Sequence, residues 1–132
     1  MTPIRRIATF IAVGTTAAAV HLGVVVALVE ARVAPPLVAN VAGWLVAFCV
    51  SFAGQHRLTF GDRAASARQA APRFFLLSAT GFAANEAAYA LALRFFPVRY
   101  DVALAIVLVL VAVMTYVLSS AWAFRRSAGT SR

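Results

Sequence analysis

Four long stretches almost free of charge constrain this chain more than any other feature: Ile7–Val29, Leu37–Gly54, Phe74–Leu93 and Val102–Phe124. Together they hold 84 residues and one formal charge, Glu86, while the other 48 residues carry the remaining 15 charges. A bilayer imposes such segregation, because a charge at its centre is costly. About 20 apolar residues cross the hydrocarbon as a helix, and each stretch is 18 to 23 residues long. A soluble domain of 132 residues has too little interior to hide a chain that is 63% hydrophobic. The expected fold is therefore an all-α membrane protein with four transmembrane helices in one domain, spanning about 7–29, 37–54, 74–93 and 102–124.

The basic residues set an orientation. All twelve are Arg. Nine lie at the start (Arg5, Arg6), in the central link (Arg57, Arg63, Arg68, Arg73) and in the tail (Arg125, Arg126, Arg132). Three lie in the other two links (Arg32, Arg94, Arg99). The positive-inside bias places both termini and the central link in the cytoplasm, across a cytoplasmic (inner) membrane. Ala17-Ala18-Ala19 behind Arg5-Arg6 resembles a signal-peptide cleavage site, but the apolar run continues to Val29, long enough to span. The net charge of +8 follows the orientation rule and does not call for nucleic acid.

The two halves read as copies. Arg6 precedes Gly14 by eight positions, and Arg73 precedes Gly81 by eight. Phe52 precedes Phe60 by eight, and Tyr116 precedes Phe124 by eight. The offset between copies falls from 67 to 64 residues, so the second outer loop is expected to be three residues shorter. Halves that both begin and end in the cytoplasm are parallel repeats, here two helical hairpins, with functional groups expected at their interface. Small residues predict the packing faces: Gly14, Ala18 and His21 in the first span; Asn40, Gly43, Ala47 and Gly54 in the second; Gly81, Asn85, Ala88 and Ala92 in the third. The fourth span, nearly all Val, Leu, Ala and Ile from Val102 to Met114, is expected to face lipid or a partner subunit.

The polar groups at membrane depth gather in one half. Glu86 sits near the middle of the third span, with Asn85 beside it and Tyr89 one turn outward on its face. His21 lies about 12 Å below the outer end of the first span at 1.5 Å per residue. Asn40 enters near the outer end of the second span, and Trp44 follows one turn deeper, where its indole N–H needs a partner. The expectation is a polar pocket toward the outside. An intramembrane carboxylate is by default a functional group, able to titrate or to hydrogen-bond a polar ligand; the alternative is a group that ties helices together through His21, Asn85 or Tyr89. Asn40 and Asn85 suit the same interhelical role.

The central link, 55–73, carries His56, Arg57, Arg63, Arg68 and Arg73 against one acid, Asp62. Gly61-Asp62 reads as a turn, and Ala64 to Ala71 as a short surface helix ended by Pro72. A basic cytoplasmic face attracts anionic lipid headgroups; a sharper reading makes Arg57 and Arg73 a clamp on a lipid phosphate, which guanidinium groups fork well. Phe60, Phe74 and Phe75 suit the inner interface, and Phe95, Phe96 and Tyr100 the outer one.

The single Cys49 allows no internal disulfide. The sequence shows no nucleotide-binding glycine loop, paired carboxylates or metal-ligand cluster. No enzyme activity, cofactor or metal is expected.

Phe10-x-x-Val13-Gly14, Phe52-x-x-x-x-Arg57-x-Thr59-Phe60, Arg73-Phe74 and Trp122-x-Phe124 occur in that order. In these the chain resembles the GtrA-like family of small four-span bacterial membrane proteins, from Arg6 to Phe124. The resemblance implies work on polyprenyl-phosphate-linked sugars for cell-surface polysaccharide: carrying such lipids across the membrane, or assisting the glycosyltransferase that makes them. The lipid-phosphate site expected from the central link is Arg57 and Arg73 with His56. The chain departs from the family where it has His56 for the usual Asn, Leu58 for an aromatic and Ala121 for an Arg.

The leading expectation is a translocase whose groove residues Glu86, Asn85, Tyr89, His21, Asn40 and Trp44 meet the sugar. A second is a membrane anchor that recruits a glycosyltransferase. A third is a proton-coupled small multidrug exporter, but that family carries its Glu in the first span and its dual-topology members lack the Arg bias seen here. Four short helices enclose little, so self-association is also expected.

Overall fold

The computed structural model describes residues 2–59 and 67–127, with side chains described for 2–59 and 71–114. The chain forms α1 (Pro3–Glu30), α2 (Pro36–Gly54), a π-helical turn (Gln55–Thr59), α3 (Ala67–Phe95) and α4 (Tyr100–Ser127). There is no strand among the described residues. Among the described residues, two helical rods, Pro3–Glu30 and Pro36–Thr59, are long and apolar enough to cross a membrane, and the Tyr100–Met114 part of α4 is apolar.

Local chemistry sets the helix ends. Thr2 caps α1 by accepting from the Arg5 amide at 3.3 Å, and Pro3 fills a first-turn position where its missing N–H costs nothing. At the far end the Val33 amide donates to the Leu28 carbonyl at 2.9 Å and the Arg32 amide to Val29 at 3.0 Å. This is a Schellman motif, and it puts Arg32 at φ 58 where glycine usually sits. Pro35 and Pro36 then prevent α1 from continuing and start α2. Asp101 supplies a carboxylate to the first turn of α4, accepting from the Val102 amide at 2.9 Å.

The short links 31–35 and 96–99 join α1 to α2 and α3 to α4 as two hairpins. Within the first hairpin the helices pack closely. Val13, Ala17, His21 and Val25 recur every fourth residue on the buried face of α1, against Ala39, Asn40, Gly43 and Ala47 of α2. A Cβ on Gly43 would stand 2.8 Å from the His21 carbonyl oxygen, and one on Gly54 2.7 Å from a Val13 methyl. The core where all four helices meet lies toward the link end: Val25, Ala39, Tyr89, Ala103, Leu104 and Val107.

The expected small-residue face holds on α2 but is rotated on α1. Ala18 is exposed, and a Cβ on Gly14 or on Gly81 would meet nothing within 4 Å. The reason is that Val13 and Ala17 already fill the α1 seam, and helix position 14 falls beside it. α3 also differs from expectation, because it runs unbroken through Pro72 rather than beginning behind a separate surface helix. Pro72 is the sixth residue of that helix, where it leaves the Arg68 carbonyl without an i→i+4 partner. The outward side of α4 fits its composition: Val102, Ile106, Val109, Leu110, Val113 and Met114 are exposed. The Gly61-Asp62 turn and Phe60 lie outside the described residues, as do the side chains of Tyr116, Trp122 and Phe124.

Candidate functional site

Asn40, the fifth residue of α2, stands where α1, α2 and α3 meet and is fully buried. Its Oδ1 lies 2.6 Å from His21 Nε2. Its Nδ2 donates to Asn85 Oδ1 at 2.9 Å and to Glu86 Oε2 at 3.1 Å. An amide oxygen only accepts, so the hydrogen bond requires His21 to carry its proton on Nε2. Both Asn40 donors are then used, one on each α3 group. Four of the six expected groove residues, His21, Asn40, Asn85 and Glu86, thus form one hydrogen-bonded set drawn from three helices. His21 and Asn85 are buried, whereas Glu86 is half-buried.

The other two stand apart from that set. Trp44 donates its indole N–H to Ser78 Oγ at 2.8 Å and stacks on Phe82 with ring centres 4.7 Å apart. Ser78 and Phe82 escaped the sequence reading, although their spacing from Asn85 and Glu86 puts them on neighbouring turns of the same helix. Tyr89 is fully buried in the apolar core and donates its hydroxyl to the Tyr100 carbonyl at 3.0 Å. It joins α3 to the start of α4 rather than facing the polar set.

Aromatic rings continue the α2–α3 seam from Trp44 toward the π turn. Phe75 lies 5.4 Å from Trp44 and 5.3 Å from Phe48. Phe74 lies 5.7 Å from both Phe48 and Phe52, and His56 stacks on Phe52 at 5.6 Å. This chain of rings brings the helix ends that bear Arg57 and Arg73 to the same end of the pair. Both Arg side chains are exposed, and His56 is half-buried.

The π turn itself was not foreseen. Its buried Gln55 donates to the Phe10 carbonyl of α1 at 3.2 Å and accepts from Thr59 Oγ1 at 2.6 Å. A π turn holds one residue more than an α turn and is frequent at functional sites. Here it fixes the segment carrying His56 and Arg57 against α1.

At the link end a second charged group forms. Glu30 Oε1 accepts from Arg99 at 3.0 Å and from the Tyr100 hydroxyl at 2.6 Å. Arg99 also pairs with Asp101 at 3.1 Å. Asp101 and then Glu30 push the Arg99 pKa above its ordinary value, and the hydrogen bond to Glu30 raises that of the Tyr100 phenol. Among the described residues no group of three metal-ligating side chains occurs.

The family model described as GtrA/DPMS, transmembrane domain, matches residues 9–124. No curated protein and no solved structure matches the chain. The family match and the apolar helices together make this a membrane protein.

Proposed function

We propose that this chain, which belongs to the GtrA/DPMS transmembrane-domain family, carries polyprenyl-phosphate-linked sugars across the cytoplasmic membrane for cell-surface polysaccharide synthesis or modification. The observation that carries this reading is the His21–Asn40–Asn85–Glu86 set, a connected group of sugar-compatible donors and acceptors within apolar helices. A polar group buried among apolar helices must find a partner, and here the partners are one another. An incoming sugar hydroxyl can replace any of these bonds in kind, so it can enter without stranding a buried polar atom. Arg57 and Arg73, with His56, hold the phosphate at the cytoplasmic end, where guanidinium forks match phosphate oxygens. The protein acts as a carrier without chemistry of its own, with both termini cytoplasmic and four spans arranged as two related hairpins.

The test is lipid flipping in proteoliposomes with a polyprenyl-phosphate sugar. Glu86→Gln and Arg57→Ala are each expected to slow flipping about tenfold, equivalent to ~1.4 kcal/mol. Unchanged rates in both variants would remove these residues from the path.

A second reading, an anchor that recruits a glycosyltransferase, is favoured by the exposed apolar face of α4 around Ala105, Ile106, Val109 and Leu110. Its signature would be normal transferase activity after Glu86→Gln and lost activity after polar substitution on that α4 face. Self-association through the same face would show as a dimer mass in mild detergent.

A further inference from the structure

A groove of about 560 Å³ runs along the inner half of the first hairpin, away from the polar set. It is lined by α1 residues Ala8, Thr9, Ala12 and Thr16 and closed by Gly54 and Leu58 of the α2 rod. Its volume falls in the roughly 300–1,000 Å³ range of ligand clefts.

The lining is more apolar than its residue names suggest. Thr9 Oγ1 donates to the Arg5 carbonyl and Thr16 Oγ1 to the Ala12 carbonyl, each at 2.8 Å. Both hydroxyls therefore serve their own helix and leave methyl groups for a ligand. Ala8, Ala12 and Thr16 recur every fourth residue, about 6 Å apart at 1.5 Å per residue, so one face of α1 presents small side chains along the groove.

The groove also has a charged end. Leu58 belongs to the π turn beside exposed Arg57, and Thr9 lies one turn beyond exposed Arg5. The Gln55 bridge to the Phe10 carbonyl ties those two helix ends together. An apolar trough whose lining ends next to Arg57 in sequence and one helical turn from Arg5 complements an apolar chain with an anionic head.

We propose that this groove seats the first isoprenoid units of a polyprenyl phosphate whose head stays at the phosphate site of Arg57 and Arg73, with Arg5 of α1 as an added cation at the mouth of the groove. The proposal rests on the transport reading above and adds to it a tail site on α1 and the α2 rod, so that the lipid is held by its chain as well as by its head.

Native mass spectrometry of the detergent-purified full chain tests it, with polyprenyl monophosphate as probe and phosphatidylglycerol and polyprenol as competitors. The wild type is expected to retain one polyprenyl phosphate that neither competitor displaces at equal concentration. Ala12→Phe fills the groove from an exposed position and is expected to weaken retention at least tenfold, ~1.4 kcal/mol, whereas Val109→Phe on α4 leaves it intact. If the wild type binds and Ala12→Phe binds equally well, the groove is not the tail site while the transport reading stands. If the wild type retains no polyprenyl phosphate, the transport reading falls and the tail site with it. Displacement by phosphatidylglycerol overturns the isoprenoid assignment in favour of a general anionic-lipid site. Should Ala12→Phe fail to fold, a diazirine-tailed polyprenyl phosphate decides on the wild type: labels must fall within residues 8–16 or 54–58, and labels confined to α4 overturn the proposal.

Discussion

Asn40 joins three helices through one amide, so its loss should exceed that of any single partner. Asn40→Ala leaves His21, Asn85 and Glu86 each short of a bond, and stability in detergent is expected to fall by about 1–3 kcal/mol. Glu86→Gln retains an acceptor for Asn40 and is expected to cost less than half as much, although it is expected to slow flipping. Thermal unfolding of the two variants side by side checks this; equal losses would show that the charge, not the hydrogen bond, holds the site. Tyr89 gives the opposite pattern. Its hydroxyl donates to the Tyr100 carbonyl, so Tyr89→Phe should lower stability by about 1 kcal/mol with flipping at the wild-type rate. A flipping defect as large as that of Glu86→Gln would return Tyr89 to the sugar path.

Two helix features make predictions that composition does not. Gly43 and Gly81 both sit inside helices, yet only Gly43 faces a neighbouring backbone, with a built Cβ 2.8 Å from the His21 carbonyl oxygen. Gly43→Ala must push α1 from α2 and should destabilise by about 1–3 kcal/mol. Gly81→Ala meets open space and should be neutral or stabilise by up to ~1 kcal/mol, the helix propensity difference. The end of α1 offers a similar contrast. Arg32 occupies the left-handed position of the Schellman motif, and Arg32→Gly should raise the unfolding free energy by about 1 kcal/mol. A lower melting temperature for Arg32→Gly would mean that the Arg side chain contributes more than its backbone strain costs.

At the scale of the whole molecule, the link end is tied by charge and the opposite end by ring contacts. Glu30 ends α1, Arg99 closes the α3–α4 link and Tyr100 begins α4, so their bonds connect the two hairpins. Tyr100 has a raised pKa because its phenol donates to Glu30. A raised phenol contributes stability that is fully present below its unfolded pKa and is lost as pH rises through the folded one. Alkaline titration of phenolate absorbance should therefore show a late Tyr transition that moves earlier in Glu30→Gln. The group is exposed, so high salt should weaken the tie, and a salt-insensitive tie would argue against a Coulombic origin.

What the sequence determined by itself was one-dimensional. Charge segregation and length identified apolar helices, and the positions of His21, Asn40, Asn85 and Glu86 along them followed from the rise per residue. The Trp44 indole was expected to need a partner, but Ser78 could not be named. Contacts between helices were decided only in three dimensions, because each helix can rotate about its axis without changing its hydropathy. That rotation was set by Val13 against Gly54 and by His21 against Gly43, which put Gly14 and Ala18 off the seam and made Asn40, rather than Glu86, the centre of the polar set. The π turn and the Glu30–Arg99–Tyr100 tie arose in the same way. Each depends on a partner from a distant part of the chain, and burial of that partner is a property of the packed bundle rather than of any one segment.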